Sequence, residues 1–383
     1  MKIGIVTFWQ SGDNYGQQLQ CWALQRYLRG LGHEPFLIRY SGTRSAMQRW
    51  LRKAVKAALV YPLVAQWKRR EIRRMIAVNE VKNKIRRFDE FKDRHIERTE
   101  RIYRSLSELR QNPPIADVYI AGSDQVWNPI LLKRKENRVF WLDFGDDKVR
   151  RIAYAASYGA DTCPPELQDE LSRRLSRFDA VSVREESGVA ICHSSGREAT
   201  HVLDPTLLLS MDDYLPLTEN VADRPSPYIY VYSINIADKE DIRWSELQTF
   251  AGECGLSSVV TPASGYLPGR ELFDGVEYCY ATIPQWLSLI RHSNLVVTTS
   301  FHGVAFCLLF RKRFVYFPLS GIHSKGNSRV LNLLSKLGLS DCVWKAAGDF
   351  KRIYNLSIDW NKAEEALTLL RRKSFSFLQQ ALS

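Results

Sequence analysis

The chain has no C-x-x-C pair; its seven cysteines, Cys21, Cys163, Cys192, Cys254, Cys279, Cys307 and Cys342, are scattered singly. That argues against zinc ribbons and thioredoxin chemistry. Most are expected to be small apolar residues in buried elements, and an odd, unclustered count suits a reducing cytoplasm. No stretch approaches about 18 uninterrupted apolar residues, so no membrane span is expected. No basic region followed by a long apolar run opens the chain. Residues 2–8 read as a strand at once, and no signal peptide is expected. There is no internal repeat at a fixed short period and no low-complexity tract. No convincing set of carboxylates or histidines presents itself as metal ligands, so no metal is expected.

What is present suits a globular protein of two domains. At 383 residues the chain exceeds the roughly 250–300 residues at which single cores stop growing. Hydrophobic residues make up 45% and charged residues 25%, so a core can be buried without disulfides. The net charge of +12 is confined to residues 44–110, which hold 20 Lys/Arg and 8 Asp/Glu, while the remainder holds 34 of each sign. A solvated helical face, a nucleic-acid surface, and a surface for anionic lipid or glycan all fit such a segment. Its aromatics (Trp50, Tyr61, Trp67, Phe88, Phe91) come with no nucleic-acid motif, which disfavours nucleic acid. Residues 54–65 are its most apolar part; despite Lys56 and Pro62 they are compatible with an amphipathic helix lying on a membrane.

Periodicity gives an α/β order. Residues 3–8 read as a strand and 10–16 as a polar loop. A helix follows, with Leu19, Trp22, Ala23, Tyr27 and Leu28 on one stripe and Gly30 and Gly32 as stop signals. Residues 34–40 form a second strand, a βαβ opening that implies a parallel sheet. Residues 44–110 read as a basic helical insertion rather than a sheet element, ended by Pro113-Pro114. Strands are then predicted over 117–121, 151–156, 180–183 and 201–203, with a helix over 164–178. A second series places strands at 228–234, 257–261, 295–298 and 313–317, and helices at 238–254, 283–291, 302–310 and 328–337. Pro216, Pro225 and Pro227 put the domain boundary near 210–225. The expected division is 1–215, 225–350 and a helical segment 351–383, whose final helix over 362–380 packs back on the first domain.

Polar clusters repeatedly follow the short apolar strands: Asp13-Asn14-Tyr15-Gly16, residues 122–128, Ser157-Tyr158-Gly159, Arg184-Glu185 and Ser300-Phe301-His302-Gly303. Ligands of open parallel sheets bind beyond the carboxyl ends of strands, so the clusters point to one face. The last is the sharpest. Amides at a helix N-terminus bind phosphate or carboxylate, Gly303 would let a ligand approach the backbone, and His302 can give or take a proton near neutral pH. A helix-start histidine held by local hydrogen bonds is the plainer alternative. Arg184 could hold a carboxylate or phosphate bidentately, or pair with Glu185 or Glu186. Lys325, Asn327 and Arg329 form a second anion-suited set near a helix start, or a solvated loop.

In order along the chain, Asn14-Tyr15-Gly16, Gly122-Ser123-Asp124-Gln125-Val126-Trp127-Asn128-Pro129, Ser182-Val183-Arg184-Glu185, Leu203-Asp204-Pro205-Thr206 and Ser300-Phe301-His302-Gly303 resemble the polysaccharide pyruvyl transferases. The similarity spans about residues 3–340. It implies a GT-B-like fold, two Rossmann-like domains facing across a cleft. It implies that phosphoenolpyruvate donates its three-carbon unit to two hydroxyls of one sugar, forming a cyclic pyruvate ketal, with no cofactor beyond this co-substrate.

The resemblance makes His302 the general acid and Arg184 a donor-binding arginine. Ser300, Phe301, Gly303, Lys325, Asn327 and Arg329 complete the expected donor set. Asp124 and Asp13 become candidate bases for the sugar hydroxyl, although Asp13 could equally cap the following helix. Asn14, Tyr15, Gly16, Ser123, Gln125, Trp127, Asn128 and Ser157 are assigned to the acceptor side of the cleft. One departure stands out: some members carry Arg-Leu-His-Gly where this chain has Ser300-Phe301-His302-Gly303, so Lys325, Arg329 or Arg184 must compensate for the missing arginine. The expected acceptor is a polyprenyl-diphosphate-linked oligosaccharide of a cell-surface polysaccharide, with the basic segment docked on the inner face of the plasma membrane. The competing expectations are a nucleotide-sugar glycosyltransferase of the same fold and a non-enzymatic binder of glycan or nucleic acid.

Overall fold

The strands lack the polar alternation of a half-exposed sheet, because helices cover both of their faces. In β1 (Lys2–Val6), β3 (Val118–Ala121), β4 (Arg150–Ala156) and β5 (Ala180–Val183) nearly every residue is buried. The computed structural model describes residues 1–41, 81–132, 135–222, 224, 226–262 and 271–383, with the side chains of 130, 135, 136, 322 and 325 left aside. With β2 (Glu34–Leu37) and β6 (Thr200–His201) these strands form a six-stranded parallel sheet in the order β2-β1-β3-β4-β5-β6. A second parallel sheet has the order β11-β10-β7-β8-β9, built from β7 (Tyr228–Tyr232), β8 (Ser257–Val260), β9 (Glu277–Tyr278), β10 (Leu295–Thr298) and β11 (Phe314–Tyr316). Strand order reverses between β1 and β3 in the first sheet and between β7 and β10 in the second. Crevices beyond the strand ends at such points are where these sheets take ligands.

The helices begin where the sequence supplies caps. Asn14 accepts from the Gln17 amide at the start of α1 (Tyr15–Gly30). Four further helices are α2 (Phe88–His95), α3 (Gln168–Leu175), α4 (Glu186–Ser194) and α5 (Trp244–Glu253). Thr282 and Gln285 form a capping box at α6 (Ile283–His292), with Pro284 in its first turn. Next come α7 (Phe301–Leu309), α8 (Ser328–Lys336) and the long α9 (Trp360–Leu382).

The two sheets share a core. Tyr15, at the start of α1, stacks on Trp286 of α6 at 5.1 Å and meets Tyr232 edge-on at 5.7 Å. Its hydroxyl donates to the Ala281 carbonyl at 2.7 Å and accepts from Arg86. Burying an aromatic ring of this kind contributes about 2–3 kcal/mol. Helix α9 returns to the first sheet, where Leu378, Ala381 and Leu382 pack with Ile3, Ile5, Leu24, Val118 and Tyr154.

Two segments differ from the sequence-based expectation. Residues 44–80 of the basic insertion, including Lys68, Arg69, Arg70, Arg73 and Arg74, lie outside the described residues. Residues 96–103 are not helical: the chain runs alongside β2, with bridges Leu37–Arg98 and Tyr40–Tyr103. Backbone hydrogen bonds to the free edge of β2 outweigh the charge pattern there, which is carried by side chains pointing outward. Helix α4 was not anticipated, because Ser187, Gly188 and Ser194 are poor helix formers. Among the described residues no helix is long and apolar enough to cross a membrane.

Candidate active site

The turn from β10 into α7 carries the Ser300–Gly303 run. Thr298 Oγ1 accepts from the Ser300 amide at 3.0 Å and donates to the Tyr232 carbonyl at 2.6 Å, fixing the turn to β7. Ser300 then caps the helix by accepting from the Gly303 amide. Gly303 does not open the backbone to a ligand as its type suggested. A Cβ there would lie 2.4 Å from Thr298 Oγ1, so the glycine serves the packing of helix on strand.

His302 projects from α7 to the N-terminus of α1. A Cβ on Gly16 would fall 2.0 Å from His302 Nδ1, so Gly16 is the residue that makes room for the imidazole. The other ring nitrogen, Nε2, lies 3.6 Å from Asp204 Oδ2. Asp204 is fully buried and shared. Arg184 Nη1 donates to its Oδ2 at 2.7 Å, Ser123 Oγ donates to the same oxygen at 2.7 Å, and Oδ1 accepts from Thr206. Burial alone would raise the Asp204 carboxyl, but His302, Arg184 and Ser123 more than offset it and hold it well below the usual range. The arginine's main partner is thus Asp204, rather than the adjacent Glu185 or Glu186; Glu185 stands 4.0 Å away and Asp124 3.8 Å.

Only one edge of the Arg184 guanidinium is used. Nε and Nη2 are buried with no hydrogen-bond partner. An unsatisfied buried donor costs about 1–3 kcal/mol, and more when charged. Arg184 stands over the Phe301 ring at 4.9 Å and Arg329 stands over the same ring at 5.9 Å. Burial, and then Arg184, lower the Arg329 pKa from its ordinary value. With its oxygen toward Arg329, the Gln125 amide accepts from both terminal nitrogens at 3.2 and 3.3 Å. Beside this pair opens a cavity of about 830 Å³ between the sheets, lined by Gln125, Asn128, Phe301, Tyr316, His323 and Arg329, among others.

Other expected site residues have other employment. Tyr15 and Trp127 are core residues: Tyr15 is packed as above, and Trp127 stacks on Trp141 at 4.5 Å. Large rings that complete an apolar core gain more by burial than at a cleft wall. Asn327 is consumed by its own loop, accepting from Tyr316 and Leu319 and donating to the Leu319 carbonyl. Asn14 caps α1 in place of Asp13. Ser123 and Ser157 are fully buried and orient carboxylates, Asp204 and Glu185 respectively. The side chain of Lys325 lies outside the described residues.

Asp124 adopts a left-handed backbone at φ 75°, and its carboxylate accepts from the Gln125 amide. Asp13, three residues before Gly16, has its carboxyl raised by burial, against the opposing influence of Ser11 and Arg86. The residue that sequence reasoning quoted without giving it a role is Asp204. The signal was available: an acid directly after a short strand, followed by proline. No group of three or more metal-ligating side chains assembles among the described residues.

No curated protein matches the chain. Among solved structures, the UDP-GlcNAc 2-epimerase of Methanocaldococcus jannaschii aligns with TM-score 0.50 at 10% identity, over 97% of this chain and 99% of that one. The UDP-GlcNAc 2-epimerase of Neisseria meningitidis gives 0.47 at 9% identity, covering 100% and 94%. A glycosyltransferase of Rickettsia africae gives 0.48 at 10% identity, covering 100% and 98%. At this identity the likeness concerns the fold alone, which is GT-B-like. The sequence profile of polysaccharide pyruvyl transferases matches residues 14–321, most of the molecule including every strand after β1 and the His302 turn, and on that match the chain belongs to the polysaccharide pyruvyl transferase family.

Proposed function

We propose that the protein transfers the pyruvyl group of phosphoenolpyruvate to two hydroxyls of a sugar, forming a cyclic ketal. The observation that carries this reading is the guanidinium of Arg184, buried beside Arg329; the Arg184 Nε and Nη2 make no hydrogen bond and have only the longer ion pairs to Glu185 and Asp124. Two guanidiniums flanking one aromatic ring suit a small, multiply charged acid whose carboxylate and phosphate each take parallel N–H donors. Arg329 compensates for Ser300 at the position where some members carry arginine.

With Nε2 turned to Asp204, Nδ1 of His302 is the atom that hands over a proton. The proton goes to the methylene carbon of phosphoenolpyruvate, which becomes the methyl group, and the oxocarbenium-like carbon is attacked by one sugar hydroxyl. Asp204, with Oδ2 3.6 Å from Nε2, holds the imidazole and acts as a positioning residue. Phosphate then leaves and the second hydroxyl closes the ring. One of the two hydroxyl protons replaces that lost by His302, and the other leaves with phosphate. Asp13, its carboxyl lifted by burial, is the better placed by basicity to take a hydroxyl proton; Asp124 stands beside Arg184. The acceptor in this proposal is a sugar of a lipid-linked oligosaccharide entering the cleft.

The test is incubation with phosphoenolpyruvate and a sugar acceptor. Release of phosphate matched by a pyruvyl mass gain on the acceptor is expected. Turnover of a nucleotide sugar instead, with phosphoenolpyruvate untouched, would replace the proposal with a glycosyl transfer.

A further inference from the structure

A second concentration of guanidinium groups lies away from the cleft. Arg110, Arg138, Arg173, Arg174 and Arg177 line a cavity of about 250 Å³ together with Trp141, Asp143 and Glu170. None of these residues lines the cavity between the sheets. Among the described residues, five guanidiniums therefore share two carboxylates. Asp143 serves three of them: Arg110 at 2.5 Å, Arg177 at 2.9 Å and Arg138 at 3.8 Å. Glu170 serves Arg173 and Arg174. Every arginine has a carboxylate within 4 Å, yet among the described residues the cluster holds three more guanidiniums than carboxylates.

The cluster also has a floor and an unfilled donor. The Arg174 guanidinium lies 5.5 Å over the face of Trp141, which is itself buried. Its Nη1 is buried and has no hydrogen-bond partner, although Nε and Nη2 are used by Glu170 and the Leu132 carbonyl. Burial lowers the Arg174 pKa, and nearby Arg138 adds to that against the pull of Glu170. Like charges held together around an aromatic floor, with an N–H aimed at nothing, are the arrangement that binds a polyvalent anion bidentately.

We propose that this arginine cluster is a second anion site that takes a diphosphate group. Its excess of three guanidiniums over carboxylates matches a diphosphate rather than a single carboxylate. The site is also joined to the candidate active site. Trp141 stacks face to face on Trp127 at 4.5 Å and 4°. Trp127 ends the loop that carries Asp124 and Gln125, and Gln125 meets Arg329. A diphosphate that fixes Arg174 on Trp141 therefore acts on the wall of the cleft through one ring stack. The proposal stands on this cluster alone and does not depend on the identity of the donor in the cleft.

The diphosphate could belong to a free nucleotide or to a lipid, and the test separates them. The full chain is titrated calorimetrically in phosphate-free buffer with inorganic pyrophosphate, with UDP, and with phosphatidylcholine vesicles carrying a polyprenyl diphosphate. Saturable pyrophosphate binding is expected, weakened about tenfold or more in Arg138→Gln/Arg177→Gln. UDP binding with the same sensitivity assigns a nucleotide; vesicle binding with that sensitivity, and no UDP binding, assigns a lipid. Unaltered pyrophosphate affinity in the double variant overturns the proposal. So does a crystal soaked in pyrophosphate with density only at Arg184 and Arg329. Should the double variant fail to fold, the exposed Arg173→Gln and the soaked crystal decide alone.

Discussion

His302 is wedged between a glycine and a carboxylate, and both neighbours can be tested without touching the imidazole. Gly16→Ala places a methyl group on the ring, 2.0 Å from Nδ1 in the undisturbed geometry, so the imidazole must shift. Since small misplacements of reacting groups cost orders of magnitude in rate, kcat should fall by about 100-fold with the melting temperature little changed. An unaltered kcat would remove Nδ1 from the reaction. His302→Ala itself should lower kcat by roughly 10²–10⁴ while leaving phosphoenolpyruvate binding intact by calorimetry.

Asp204 gives a pH prediction with a definite sign. Its carboxyl is held below its unfolded value, so the stability it contributes is complete above pH ~4 and is lost as pH falls toward the folded pKa. Asp204→Asn should be less stable than the parent at neutral pH, and the difference should shrink on acidification below pH ~4. Urea unfolding at several pH values measures this; a constant difference would show the carboxylate's charge to be irrelevant. Arg184→Ala strands the same carboxylate and should cost about 3–5 kcal/mol of stability as well as donor binding.

At the scale of elements, the turn between β10 and α7 is the piece on which the site depends. It is held by Thr298 and by the Ser300 cap, with Gly303 pressed against Thr298. Ser300→Ala removes the cap and should cost about 0.5–2 kcal/mol, measured by thermal or urea unfolding. Ser300→Arg would introduce the residue that the resemblance to some family members implies, but it would have to enter a position already 97% buried beside Arg184 and Arg329. Here the sequence was legible to a degree. The short β-branched strand, the serine cap and the helix start were all in the pattern 295–303. That Gly303 answers to Thr298 was not, because the contact depends on how closely α7 folds back on β10. The extended run at 96–103 was missed for a related reason: an edge strand leaves no periodic signature when its charged side chains face water.

At the scale of the molecule, the parts of the site come from both sheets: Gly16, Asp124, Arg184 and Asp204 from the first, His302 and Arg329 from the second. The two are joined through Tyr15, Trp286 and Arg86, and the last helix ties the C-terminus to the first sheet. Leu378→Ala should cost about 2–5 kcal/mol, since Leu378 is fully buried against Ile3, Ile5 and Leu24. A change near zero would mean that α9 is dispensable to the first sheet.

The alternation of short apolar strands with helices, and the polar residues after each strand, are written in the chain order, because local propensity and strand burial set them. Family membership is written there too, in runs of neighbouring residues. Which of those polar residues face a ligand was decided only by tertiary structure. Tyr15 and Trp127 went to the core and Asn327 to its own loop, while Asp204 came to stand between Arg184 and His302. Burial, and the hydrogen bonds that burial makes obligatory, depend on what another strand brings within about 3 Å. That distance is a property of packing between segments some hundred residues apart, and it leaves no trace in the spacing of either segment.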